Sequence, residues 1–172
     1  MDFFTTVAFP WVIGEEGKFQ NDPRDKGNWT GGAVGKGVLR GTKYGISAAR
    51  YPNLDIENLT LANALPLAKA DYWDQVSGDL LPPSVGLCVF DFGYNAGPEE
   101  SIMVLQRALG CAADGKLGPH TLGLLSLQSP PDVVRAFLIQ RLLAYKKMVE
   151  YPIDGAGWDA RAKATAAKAL TC

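Results

Sequence analysis

The sequence has almost no net charge. Lys and Arg number 17 against 18 Asp and Glu, a formal charge of -1, so the chain offers no field for a nucleic-acid backbone and no nucleic-acid partner is expected. Histidine is nearly absent: His120 stands alone beside Pro119, with no second soft ligand at zinc-like spacing, which argues against a metal site and implies no cofactor. Three cysteines, Cys88, Cys111 and Cys172, form no CxxC pair and are too few for a disulfide framework, so synthesis in a reducing compartment is the simpler inference. No stretch reaches the roughly 20 apolar residues of a membrane span. A signal peptide is not expected either, because Asp2 stands where a positive n-region belongs.

What is present is enough apolar sequence for one well-buried core: 47% of 172 residues are hydrophobic. A single domain is the default, without internal repeat, linker or low-complexity tract. Four Trp, six Tyr and seven Phe could serve a core or supply stacking platforms in a ligand groove.

The chain opens with Phe4, Val7, Ala8, Trp11 and Val12 at helical spacing, which predicts a first helix with one buried face, stopped by Gly17. Glu16 then falls near its last turn, where the negative end of the macrodipole favours the protonated carboxyl, a property suited to a general acid. From Asn21 to Ser47 glycines and short polar residues predict turns and short strands, over Val34 to Leu39 and Lys43 to Ile46. Thr60 is a candidate N-cap for a helix reaching Trp73, with Pro66 as a kink. Ser84 is the candidate cap of a helix from Val85 to Asn95 that is apolar all round and so belongs at the centre. Further helices are expected over Glu99 to Leu109, after Pro119, from Pro131 to about Val149 and, after a break at Tyr151 to Gly157, from Trp158 to Leu170. The fold class is therefore mainly α: a helical body with a small Gly-rich β region between the first and second helices. A helix-end carboxylate followed by a small sheet and a helical body is, by analogy, an α+β lysozyme-like arrangement.

Gly14-Glu15-Glu16-Gly17-Lys18-Phe19, Asn21-Asp22-Pro23-Arg24-Asp25 with Gly27 and Thr30, and Thr42-Lys43-Tyr44-Gly45-Ile46-Ser47 resemble the N-terminal signature of glycoside hydrolase family 108, phage endolysins and bacterial N-acetylmuramidases of lysozyme-like fold. Phe90-Asp91-Phe92-Gly93-Tyr94-Asn95-Ala96-Gly97-Pro98, Leu105-Gln106-Arg107-Ala108-Leu109-Gly110 and the stretch from Asp114 to Leu122 are similar to the peptidoglycan-binding region of that family. The resemblance implies a single lysozyme-like domain over residues 1–172, with a catalytic lobe over 1–80 and a helical lobe over 81–172. It makes Glu16 the catalytic acid, with Glu15 its neighbour in competition, and Asp25 the aspartate opening the Asp-x-Gly turn. Thr30 and Thr42 both remain candidates for the threonine.

Glycoside cleavage needs one carboxylic acid to protonate the leaving oxygen and a second carboxylate to activate water or stabilise the oxocarbenium-like transition state. Glu16 and Asp25 can form that pair. A threonine holding the water beside Asp25 favours inversion, with carboxyls about 6.5–9.5 Å apart, over retention at about 5 Å. Trp29, Tyr44, Trp73 and Tyr94 are candidate sugar contacts, as is Asn95, which either caps the turn at Gly97 or faces a cleft. The implied activity is a peptidoglycan hydrolase cutting the β-1,4 bond between N-acetylmuramic acid and N-acetylglucosamine. A non-catalytic peptidoglycan-binding protein and a lytic transglycosylase are the alternatives. The implied life cycle is that of a monomeric endolysin, folded in the host cytoplasm and released to the cell wall by a holin, with export by a bacterial secretion machine as the alternative.

Overall fold

The computed structural model describes residues 2–14 and 18–172. The expectations for Glu15, Glu16 and Gly17 lie outside the described residues. Two compact units divide the chain, Met1–Asp71 and Tyr72–Cys172.

The first unit begins with a π-helical turn, Phe4–Ala8, that passes into α1, Phe9–Ile13. Pro10, in the first turn of α1, needs no backbone donor there. Gly14, at φ 38°, closes α1 ahead of Gly17. The wider i→i+5 turn also rotates the residues behind it off the 3.6-residue face. Phe4, Ala8 and Val12 are buried as expected, but Phe9 and Ile13 join them, and Trp11, assigned from periodicity to the buried face, is exposed.

The Gly-rich segment folds into a smaller sheet than its composition suggests. Strands β1, Thr42–Lys43, and β2, Ile46–Ser47, pair antiparallel with Thr42 opposite Ser47 and Lys43 opposite Ile46. Tyr44 and Gly45, both at positive φ, make the two-residue turn between them. The strand expected over Val34 to Leu39 is instead a loop tied across its base, with Trp29 bridging Leu39 and Val34 and Val38 exposed. Helix α2, Leu61–Ala68, starts at the expected Thr60 cap, whose hydroxyl accepts from the Asn63 amide at 3.3 Å. It runs through Pro66 and packs on β2, with Ile46, Ala64 and Ala68 buried.

The second unit is helical. Helix α3, Pro83–Ala96, is its centre, and every residue from Val85 to Gly93 is buried. Its cap is Pro82 rather than the expected Ser84, because Pro83 occupies the first helical position, where its missing N–H costs nothing. Around α3 pack α4, Pro98–Leu109, α6, Pro130–Tyr145, and α7, Tyr151–Ala169, while the shorter α5, Pro119–Ser126, lies against α4.

The break expected at Tyr151 to Gly157 is helical, the first two turns of α7. The Tyr151 ring lies over Gly155, where an added Cβ would come within 2.6 Å of it, and the Tyr151 hydroxyl donates to Asp159 at 3.0 Å. The glycine is thus a place for a ring to pack, not a stop.

One charged cluster lies inside this unit. Asp91 on α3 accepts from Arg141 Nη1 at 2.6 Å and from Arg161 Nη2 at 2.9 Å, tying α3 to α6 and α7. Arg141 Nε also donates to the Tyr145 hydroxyl at 2.8 Å, and burial raises the Tyr145 phenol above its ordinary range.

Candidate active site

Asp25 sits in the first unit at the start of a 3-10 turn, Lys26–Asn28, and caps it: Oδ1 accepts from the Gly27 amide at 2.8 Å. This is the turn-capping role open to any Asp two residues before a Gly. The other oxygen has a different partner. Oδ2 accepts from Gln20 Nε2 at 3.1 Å, and Gln20 is fixed by a two-way backbone bridge to Thr42, with N···O distances of 2.9 and 2.8 Å. Gly41 permits that bridge, since a Cβ there would come within 2.5 Å of both the Gln20 carbonyl and the Phe19 ring.

Asn28 connects these pieces. It is completely buried and all four of its amide hydrogen-bonding positions are occupied. Nδ2 donates to Gln20 Oε1 at 2.8 Å and to the Asp22 carbonyl at 2.9 Å. Oδ1 accepts from the Thr42 hydroxyl at 2.7 Å and from Gln20 Nε2 at 3.2 Å. Asp25 and Thr42 are thereby brought into one network through Gln20 and Asn28, two residues the sequence did not single out. An Asn among glycines reads as a turn former, and nothing local marks it as buried.

Thr30 is occupied elsewhere. Its hydroxyl accepts from the Val38 amide at 2.8 Å while its own amide donates to the Val38 carbonyl at 3.0 Å, closing the base of the glycine loop. The geometry therefore separates the two threonines: Thr42 shares a network with Asp25 and Thr30 staples a loop. Beside them Asp22 forms an exposed pair with Arg24 at 2.7 Å. The Arg24 guanidinium, with help from its backbone amide, lowers the Asp22 carboxyl to about 2.

Two of the expected sugar contacts belong to this unit. Trp29 is half-buried and its indole N–H donates to the Pro23 carbonyl at 2.9 Å, which fixes the ring beside the Asp25 turn. Tyr44 is half-buried at the tip of the hairpin, with Lys43 Nζ 5.5 Å from its ring centroid.

The other three belong to the second unit. Trp73 is a correction: it is only 2% exposed, edge-on to Phe90 at 5.6 Å, and its indole N–H donates to Asp79 at 2.8 Å. Such a ring has no free face for a sugar and is a core residue. Tyr94 is half-buried and stacks obliquely on Tyr72 at 4.4 Å. Asn95 is exposed. The turn is closed without it, by the Gly97 amide bonding the Gly93 carbonyl.

Among the described residues no cluster of His, Cys, Asp and Glu has the make-up of a metal site, and no helix is long and apolar enough to cross a membrane. No curated protein matches the chain. A solved structure that does match is that titled "Structure of Brucella abortus SagA", at 26% identity and a TM-score of 0.80 over 98% of this chain and 94% of that one. Residues 9–97, just over half of the chain and the stretch holding Asp25, Asn28 and Thr42, match the family described as Glycosyl hydrolase 108. The chain belongs to that family and is a glycoside hydrolase.

Proposed function

We propose that the protein is an N-acetylmuramidase that hydrolyses the β-1,4 bond between N-acetylmuramic acid and N-acetylglucosamine in bacterial peptidoglycan. The observation carrying this reading is the network joining Asp25 to Thr42 within the family match. In it a carboxylate and a hydroxyl are both held by groups that keep them in place, the requirement for orienting a water.

Glu16 protonates the leaving oxygen. Asp25 retains lone pairs beyond those used by Gly27 and Gln20, and it accepts the proton of the attacking water while Thr42 holds that water's other hydrogen. Water attack opposite the leaving group inverts the anomeric centre. Trp29 and Tyr44 supply aromatic faces for the sugars. The unpaired cysteines suit synthesis in a reducing cytoplasm. On this reading the enzyme is an endolysin that gains access to the wall when a holin opens the membrane.

Turbidity of purified sacculi tests the reading. The wild-type chain clears them, and Glu16→Gln, which removes only the transferable proton, slows clearing at least about a hundredfold. If Glu15→Gln is the inactive variant instead, the acid is the neighbouring residue. Sacculi that bind the protein without losing turbidity or releasing reducing ends would make it a binding protein.

A further inference from the structure

We infer that Asn28 is a positioning residue that makes the Thr42 hydroxyl a fixed acceptor towards the site. The inference rests on the reading above in which Thr42 holds the attacking water.

The Asp22 carbonyl can only accept and the Asp22 amide can only donate. Because Asn28 faces that carbonyl at 2.9 Å, the contacting atom must be Nδ2. Because Gln20 faces that amide at 3.1 Å, the contacting atom must be Oε1. Gln20 Nε2 then points at the Asp25 carboxylate at 3.1 Å and at Asn28 Oδ1 at 3.2 Å, which are acceptors. Neither amide can be reversed without placing two donors or two acceptors face to face, so the direction of every bond in the network is determined.

The consequence falls on Thr42. Its hydroxyl lies 2.7 Å from Asn28 Oδ1, an oxygen with no hydrogen, so the Thr42 proton is committed inward. A threonine hydroxyl has one proton and two lone pairs, and the lone pairs are what remains for a water. A water bound there must donate a hydrogen to Thr42 and can donate the other to Asp25, leaving an oxygen lone pair free to attack. Were the hydroxyl free to rotate, it would spend part of its time donating to the water, occupying one of the water's two lone pairs and turning the lone pairs of Thr42 away from the hydrogen they hold. Asn28 has no spare hydrogen-bonding group of its own for the water, so it acts on it through the Thr42 hydroxyl.

The test is a double-mutant cycle of Asn28→Leu and Thr42→Val, with kcat and KM measured on solubilised glycan fragments and thermal unfolding recorded for each variant. Thr42→Val is expected to lower kcat roughly tenfold to a hundredfold with KM within about twofold, the scale of a misplaced reactant. Asn28→Leu is expected to lower kcat on the same scale, and the double variant should be no slower than the slower single one, because no hydroxyl remains to be oriented. Multiplying losses in the double variant, or an Asn28→Leu effect confined to KM and unfolding temperature, overturns the positioning role while leaving the water-holding reading intact. A fully active Thr42→Val overturns both. Should Asn28→Leu fail to fold, hydrogen exchange of the Asn28 carboxamide in the wild-type protein decides. Slow exchange of both Nδ2 protons supports the fixed orientation, and exchange as fast as that of an exposed asparagine overturns it.

Discussion

Replacing Asp91 by Asn keeps the size of the side chain and removes its charge from the middle of the second unit. The carboxylate is 1% exposed and pairs with Arg141, itself 2% exposed, and with Arg161, at 20%. In Asp91→Asn the Arg141 guanidinium stays buried without a counter-ion, between the Phe92 and Tyr145 rings at 5.0 and 5.3 Å. Removing one partner of a buried pair costs about 3–5 kcal/mol, chiefly as the penalty of the stranded charge. For a chain of this length that lowers the unfolding temperature on the order of 10 °C. Arg161 can turn its head to water, so Arg161→Leu should cost clearly less. Circular dichroism during thermal and urea unfolding measures both. A loss below about 1 kcal/mol for Asp91→Asn, or a larger one for Arg161→Leu, would refute the placement of the unit's electrostatic cost at Arg141.

The two threonines should separate in the same kind of assay. Thr42→Val stays folded and loses most of its activity against sacculi, whereas Thr30→Val frees the Val38 amide, costs about 1 kcal/mol and keeps most of its turnover. Asp22 should titrate near 2, below the ordinary 3.8. Its contribution to stability is therefore complete above the ordinary value and disappears as the pH falls through about 2. Carboxyl carbon shifts measured against pH check the midpoint, which Arg24→Ala should return upwards. A disulfide reagent should modify the exposed Cys172 of the folded protein at once and reach Cys88 only on unfolding, since Cys88 is buried and burial pushes its thiol up to about 12.

The helical body was legible because its signals are local. Thr60 before Leu61 and Pro119 after a glycine mark helix starts by the chemistry of the first turn. The run from Val85 to Phe92 is too apolar to lie on a surface, and α3 is the buried centre of its unit. The misread elements depend on partners distant in sequence or on unusual turns. Gly155 looks like a break until the Tyr151 ring fills the space beside it, and the π turn at Phe4–Ala8 shifts a face that 3.6-residue counting places wrongly. Trp73 carries the same sequence signal whether it lines a groove or a core.

The site divides along the same line. Asp25 is a candidate through the Asp-x-Gly turn of the family resemblance, but seeing that Thr42 and not Thr30 shares its network requires knowing which hydroxyl meets Asn28, a bond between residues 14 apart. The Asn28 side chain bonds Gln20 and Thr42, 8 and 14 residues away in sequence, so nothing within a few residues of it distinguishes it from an ordinary loop asparagine.

On the proposed reading Glu16 and an Asp25-bound water cleave the glycan by hydrolysis, and mass spectrometry of the fragments released from purified sacculi reports how the bond was broken. The wild-type chain is predicted to release muropeptides ending in reducing N-acetylmuramic acid, with the Glu16→Gln protein releasing almost none. Fragments ending in 1,6-anhydro-N-acetylmuramic acid, which form without water attack, or the same reducing fragments at an undiminished rate from Glu16→Gln, would contradict it.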